Sequence, residues 1–281
     1  MKTIADTLEV SRSNLIEGIE GVRPTRKSYC KADDTLLLEA IRPLVDERPT
    51  YGYRRITALL NRERKKAGQP RLNHKRVYCI MRTANLLLQP CTGRRIQRVH
   101  DGVVQTLRSN TRWCSDGLEI QCWNGEIVRV AFALDTCDRE AMAWAASTAG
   151  ISGEMVRDMM LLSVERRFGS YKTPHRIEWL SDNGSCYIAG DTIDFALSLG
   201  LWSCFTPVRS PESNGISEAF VKTFRRDYVR CNPLPDAAAV LAKLDGWFKD
   251  YNTIHPHSSL GMRSPLEFIH ANSSLAACPA S

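Results

Sequence analysis

The stretch Arg112-Trp113-Cys114-Ser115-Asp116-Gly117-Leu118-Glu119-Ile120 runs through Gln121-Cys122-Trp123 and Asn124-Gly125 into Glu126-Ile127-Val128-Arg129-Val130-Ala131-Phe132-Ala133. Two β-rich runs flank an Asn-Gly dipeptide, whose residues tolerate the positive φ angles of a tight turn, so the stretch predicts a β-hairpin. Ala141 to Ser147 supplies a third strand. The pattern then changes period. Gly153 to Phe168 reads as a helix with Met155, Val156, Met159, Met160 and Leu162 inward, stopped by Gly169. A short strand (Arg176 to Ser181), a helix (Asp191 to Leu199, stopped by Gly200) and a strand (Leu201 to Phe205) follow. A Pro/Ser/Asn/Gly loop then leads to a helix opening at Ser217. The order βββ-α-β-α-β-α specifies a mixed α/β sheet flanked by helices on both faces.

Upstream the language is helical and basic. Leu36, Ile41, Leu44 and Val45 fit one helix from Asp33 to near Pro49, and Ile56, Leu59 and Leu60 a second from Gly52 to Lys66. Asn73 is placed to cap a third, with Val77, Ile80, Met81 and Ala84 as its apolar stripe and His74, Lys75, Arg76, Tyr78 and Arg82 outside. Ile4 to Leu15 has the local grammar of a shortened helix-turn-helix. These signals divide the chain into 1–33 (helix-turn-helix remnant and linker), 34–93 (a small all-α, helix-turn-helix-like domain), 94–111 (linker), 112–232 (the sheet domain) and 233–281 (C-terminal helix and tail).

Charge follows the same division. The 281 residues carry a net +7, but residues 1–100 hold 21 basic and 10 acidic side chains, and the remainder 17 and 21. The pairs Arg54-Arg55 and Lys75-Arg76 lie in the densest basic region, which points to a polyanionic partner, DNA, on the helical part. The apolar runs fall well short of the roughly 18 residues of a membrane span, and the N-terminus lacks the order of an export signal. The ten cysteines show no C-x-x-C pair or zinc spacing. They read as reduced, mostly buried side chains of a cytoplasmic protein.

Three carboxylates fall where the pattern concentrates chemistry. Asp116 interrupts a strand, Asp182 follows one at its carboxyl end, and Glu218 sits in the first turn of the last helix. Carboxylates brought together without a cation repel and raise one another's pKa. Mg²⁺ or Mn²⁺ removes that conflict, and two such ions about 3.5–4 Å apart serve in-line phosphoryl displacement. A rival set built on Asp135, with Asp138 and Glu140, is conceivable, although these three fit turn and capping roles better. His255-Pro256-His257 is weak as a metal motif and suits a structural or DNA-backbone role.

The 35 residues between Asp182 and Glu218 give a D, D-35-E spacing that resembles the core of retroviral integrases and insertion-sequence transposases. Trp179-Leu180-Ser181-Asp182-Asn183-Gly184-Ser185 and Arg209-Ser210-Pro211-Glu212-Ser213-Asn214-Gly215, continuing through Glu218 to Lys222, are similar to the OrfB product of two-frame insertion sequences. So are Tyr51-Gly52-Tyr53-Arg54-Arg55-Ile56, Tyr251-Asn252 and Arg263-Ser264-Pro265. The resemblance covers roughly residues 34 to 270.

It implies an RNase H-like five-stranded core and a DDE transposase that cuts at element ends and transfers the 3′-hydroxyl to DNA. Asp116, Asp182 and Glu218 would bind two Mg²⁺ ions, with Mn²⁺ as substitute. Arg54, Arg55, Lys75, Arg76, Asn183, Asn214, Lys222 and Arg225 would meet DNA, Lys222 gripping a phosphate beside the scissile bond. Implied partners are double-stranded DNA, an upstream OrfA product as fusion or separate chain, and further copies of this chain on DNA. One departure is that Gly117-Leu118-Glu119 follows the first acid where many relatives carry a hydroxyl residue. A non-catalytic DNA-binding regulator and an RNase H-like nuclease stay open as alternatives.

Overall fold

The computed structural model describes residues 2–7, 19, 31–89, 106–206 and 215–276. A helical domain is formed by α2 (Asp34–Glu47), α3 (Tyr53–Lys66) and α4 (His74–Thr83), preceded by the short α1 (Lys2–Thr7). Each of the three is amphipathic, and Ile41, Ile56, Val77 and Met81, all fully enclosed, close one small core with Tyr51 and Leu60. Asn73 caps α4 as the sequence predicts, its side chain accepting from Lys75 N–H. The second half of the shortened helix-turn-helix and most of the 94–111 linker lie outside the described residues.

The second domain is a five-stranded sheet in the order β3-β2-β1-β4-β5, from β1 (Arg112–Gln121), β2 (Ile127–Asp135), β3 (Ala141–Ser147), β4 (Ile177–Ser181) and β5 (Leu201–Phe205). The first three strands form an antiparallel meander around the Asn124-Gly125 turn, where Gly125 takes φ +90°. β4 and β5 add in parallel to β1, each reached by a helical crossover. This is the RNase H-like arrangement.

Strand alternation divides the sheet's side chains between two cores. Trp113, Ala131, Ala133 and Met142 pack with α5 (Gly153–Phe168) and α7 (Gly190–Leu199). Cys114, Leu118, Ile120, Val130 and Phe132 pack on the opposite face with α8 (Gly215–Phe224) and α9 (Ala237–Thr253). The short helix α6 (Ser185–Ile188) follows β4, and α10 (Pro265–Ala276) is the last described helix. α9 is thus a full layer of the sheet domain, since Val240, Leu244, Trp247, Phe248 and Tyr251 are buried in that core.

On α5 the expected apolar stripe is rotated. Leu162 is exposed and Ser163 buried, a swap tolerated because the Ser163 hydroxyl donates to Met159 O at 2.7 Å. Gly169 and Gly200 both end helices in the left-handed region, at φ +62° and +88°. The described cysteines 79, 114, 122, 137, 186, 204 and 231 are free thiols. No helix among the described residues is long and apolar enough to cross a membrane.

Candidate active site

The parallel register of β1 and β4 brings the first two acids together. The register ends at Cys114↔Leu180; Asp116 lies two residues beyond Cys114 on β1, and Asp182 follows β4 directly after Ser181, so both acids stand at the same end of this strand pair. Asp116 shares its parity with Cys114, Leu118 and Ile120, all facing the layer that contains α8. α8 carries Glu218 in its first turn. The three carboxylates therefore come from the middle of β1, the carboxyl end of β4 and the N-terminal turn of a helix, an edge where open sheets hold ligands.

Their electrostatics report the proximity. Burial pushes the Asp116 carboxyl above the usual range, and the charges of Asp182 and Glu218 push it further, against a stabilising bond from Gly117 N–H. Local hydrogen bonds hold the oxygens. Asp116 Oδ1 accepts from Gly117 N–H at 2.7 Å, Asp182 Oδ1 from Gly184 N–H at 3.0 Å, and Glu218 Oε2 lies 3.2 Å from Lys222 Nζ. Gly184 sits close to this carboxylate, since a Cβ there would stand 3.0 Å from Asp182 Oδ1 and force it to give by a few tenths of an ångström. As placed, no three His, Cys, Asp or Glu side chains among the described residues close on a common point. A donor set of three hard carboxylates, one of them partly desolvated, suits Mg²⁺ or Mn²⁺ chemically.

A support that composition alone does not flag lies beneath the acids. Ser115 Oγ and Tyr187 OH are 2.7 Å apart and both buried, tying the strand of Asp116 to the segment that follows Asp182. The tyrosine stays protonated, its burial raising its pKa well beyond the ordinary value.

The rival acids are accounted for structurally. Asp135 and Asp138 are fully enclosed and, with Glu140, surround the Arg167 guanidinium, at 3.3 Å from Asp135 and 2.6 Å from Asp138. Asp135 also accepts from the backbone N–H of Asn110, Cys137 and Asp138. This knot closes the β2–β3 turn.

The residues expected at DNA separate into two groups. Arg54 and Lys75 are exposed. Arg55 and Arg76 are half-buried and each pairs with a carboxylate within the chain, Arg55 with Asp227 at 2.9 Å and Arg76 with Asp34 at 2.8 Å. Charge density pointed to all four because it does not see partners distant in sequence. Asn183 Nδ2 donates to Thr206 O at 3.0 Å, anchoring the turn after Asp182 to the end of β5. Arg225 donates to Glu119 O at 3.4 Å. Asn214 lies outside the described residues. His255 is buried and His257 half-buried, and the two rings meet edge to face, an arrangement that suits packing rather than metal binding.

Comparison with known proteins agrees with this architecture. Family models described as an HTH-like domain and an integrase core domain match residues 31–95 and 107–211, and a second integrase core model matches 201–265. An insertion element IS136 protein of Agrobacterium fabrum is 60% identical over 189 residues, covering 67% of this chain and 97% of its own length. The transposase InsD of insertion element IS2 from Escherichia coli is 52% identical over 239 residues, covering 84% of this chain and 79% of its own. Among solved structures, a simian T-cell lymphotropic virus intasome chain is 16% identical at TM-score 0.48, covering 71% of this chain and 67% of its own. The Mos1 mariner transposase catalytic domain is 16% identical at TM-score 0.42, covering 50% of this chain and 70% of its own. Helical domain, sheet order and the two insertion-element relatives agree: this chain belongs to the insertion-element transposases built from an HTH-like domain and an integrase core.

Proposed function

We propose that this transposase is a DDE polynucleotidyl transferase in which Asp116, Asp182 and Glu218 hold the catalytic metal ions. The observation that supports this most is that acids from three separate elements approach one sheet edge, where burial and the charges of Asp182 and Glu218 raise the pKa of Asp116. Two Mg²⁺ ions, or Mn²⁺ in their place, would offset that charge and supply the Lewis acidity for attack on a phosphodiester.

The chain's own residues set the geometry. Gly184 N–H orients the Asp182 carboxylate, and Asn183 pins its turn to Thr206. Tyr187 and Ser115 hold the second acid's segment against the first acid's strand. Lys222, paired with Glu218 along one helix face, is free for a DNA phosphate once the carboxylate has another cation to bind. The exposed Arg54 and Lys75 would contact element-end DNA from the helical domain, and Arg225 would flank the site. Phosphodiester exchange nearly conserves bond energy, so positioning and charge stabilisation suffice without a nucleotide cofactor. The working assembly would contain more than one copy on DNA, with the upstream OrfA product fused or associated, and would act in the cytoplasm.

The test incubates the protein, alone and as the upstream fusion, with a labelled element-end duplex and Mg²⁺, alongside Asp182→Asn. Metal-dependent nicking and joining by the parent, lost in the variant, is expected. Binding with no nicking in either form would leave a DNA-binding regulator, and cutting of any duplex without joining would leave a nuclease; each result overturns the proposal.

A further inference from the structure

The helical domain is fastened to the sheet domain through polar groups buried at their junction. Asp227 is the centre. Its side chain is 1% exposed, accepts from Thr50 Oγ1 at 2.7 Å and pairs with Arg55 at 2.9 Å, both from the helical domain. Arg226, its chain neighbour, donates to both carboxylate oxygens at 2.6 and 2.7 Å. Beside it Arg48 makes a two-pronged bond to Asp250, 2.6 Å on each arm, and Tyr228 OH donates to the same carboxylate at 2.9 Å. Tyr51 OH stands 2.8 Å from His255 Nδ1, with the Arg55 guanidinium 5.1 Å from the Tyr51 ring. Further along, Arg62 pairs with Glu267 at 2.7 Å and donates to Ile254 O.

The location of Asp227 gives the junction its meaning. It lies in a π-helical turn, Arg225–Val229, that continues directly from α8, the helix of Glu218, and Arg230 N–H reaches back five residues to Arg225 O at 2.9 Å. Such turns insert one residue into a helix and tend to occur at functional sites. Here Phe220, Phe224 and Tyr228 keep facing the core while Asp227 turns to the helical domain. The helical domain is thus tied by charge-assisted bonds, the strong and directional kind, to the helix that bears the third acid.

We infer that Arg55 and Asp227 are positioning residues for DNA cleavage: their ion pair registers an element end held on the helical domain against the carboxylates of the sheet domain. The inference rests on the assignment of Glu218 to the active site. The motif Tyr51-Gly52-Tyr53-Arg54-Arg55 accordingly divides its work. Arg54 faces solvent while Tyr51 and Arg55 dock. A displacement of about 1 Å at a reacting centre can cost roughly 100-fold in rate, so a joint far from the chemistry has leverage on it.

The experiment uses whichever form of the full chain cleaves in the assay above. It measures both affinity for the element-end duplex and the single-turnover cleavage rate at saturating duplex with Mg²⁺. Arg55→Gln is expected to slow saturated cleavage about 10-fold or more while affinity stays within about 3-fold. Arg55→Lys should recover most of the rate. Asp227→Asn should match Arg55→Gln, and the double variant should be no slower than either single one, because both remove the same bond. Thr50→Val, which removes one hydrogen bond and no charge, should give a smaller loss in the same direction and decides the matter if Arg55→Gln does not fold. Weaker DNA binding with an unchanged saturated rate would make Arg55 a phosphate contact and overturn the inference, as would an unchanged rate with unchanged affinity. Glu218→Gln is measured in parallel: activity in that variant would refute the carboxylate assignment itself, whereas its loss alongside full activity of Arg55→Gln refutes only the positioning role.

Discussion

Acidification should weaken this protein through its buried histidines, and the size of the effect follows from where they sit. His257 is surrounded by Arg55, Arg62, Arg139 and Asp227 and packs on Tyr251 and His255; burial and then the nearby arginines push its pKa down to about 3. His255 is pushed down further by burial, by His257 and by Arg55, Arg226 and Arg48, with Tyr51 bonded to its ring and Asp227 3.7 Å away. Both are therefore neutral in the native state. Below the unfolded-state value of about 6.5 the unfolded chain takes up a proton that the native chain refuses, so stability is lost as pH falls from about 6.5 towards 3. At pH 5 the gap for His257 is about 1.5 pH units, or about 2 kcal/mol at 1.36 kcal/mol per unit. In a chain of this size that is a fall in melting temperature of about 4 °C, at roughly 2 °C per kcal/mol.

Asp116, Asp135 and Glu140, half-buried or buried, have raised pKa values and act in the opposite sense, gaining stability on acidification. They are common to parent and variant and cancel in a difference. Melting is therefore followed from pH 7.5 to 5 in the parent and in His257→Gln. Whatever the variant's absolute stability, its melting temperature should fall about 4 °C less over that range. Parallel slopes would refute the assignment of a neutral, half-buried His257.

Two further outcomes bear on the site and the DNA face. Gly184→Ala puts a Cβ 3.0 Å from Asp182 Oδ1 and 3.4 Å from Tyr187 Cδ2, so the carboxylate must move; cleavage by saturated enzyme should drop about 10-fold or more with DNA affinity retained, and unchanged cleavage would show that this carboxylate's placement is not limiting. Replacing both Arg54 and Lys75 with Gln should lower the slope of log affinity against log salt by about two, one per phosphate contact, whereas replacing Arg76, already paired with Asp34, should leave it unchanged; equal slopes in the first pair would remove this face from the interface.

What the sequence disclosed and what it concealed differ in range. The Asn124-Gly125 hairpin, the cap at Asn73 and the stops at Gly169 and Gly200 are local, each decided by backbone conformation within a few residues. That Asp116 and Asp182 share one end of the sheet was legible because the order of elements implies β4 adding in parallel beside β1, with Asp182 directly after β4. The junction was not legible: Arg55 and Asp227 are 172 positions apart, and Arg48 and Asp250 are 202. Nothing in a run of charge distinguishes an arginine that meets a phosphate from one that meets a buried carboxylate. The π-helical turn escaped for a related reason. Arg225–Val229 carries neither Pro nor Gly to mark the turn, and the partner that Asp227 reaches from it is distant in sequence.

That junction also alters the meaning of the uneven charge. The first hundred residues hold 21 basic against 10 acidic side chains, and the rest hold 17 against 21. Taken along the chain, this is a DNA-binding front and an acidic catalytic back, two parts with separate tasks. In space, Arg48, Arg55 and Arg62 of the front pair with Asp250, Asp227 and Glu267 of the back, so part of the asymmetry is the two halves of one interface. Between half-buried partners such pairs are screened less by salt than exposed charges are. The consequence is a separation that salt can expose: DNA affinity from Arg54, Lys75 and their exposed neighbours should decay steeply with ionic strength while the domains stay docked. Only the protein–DNA contact, and not the internal geometry that aligns it with the three carboxylates, is then lost as salt rises.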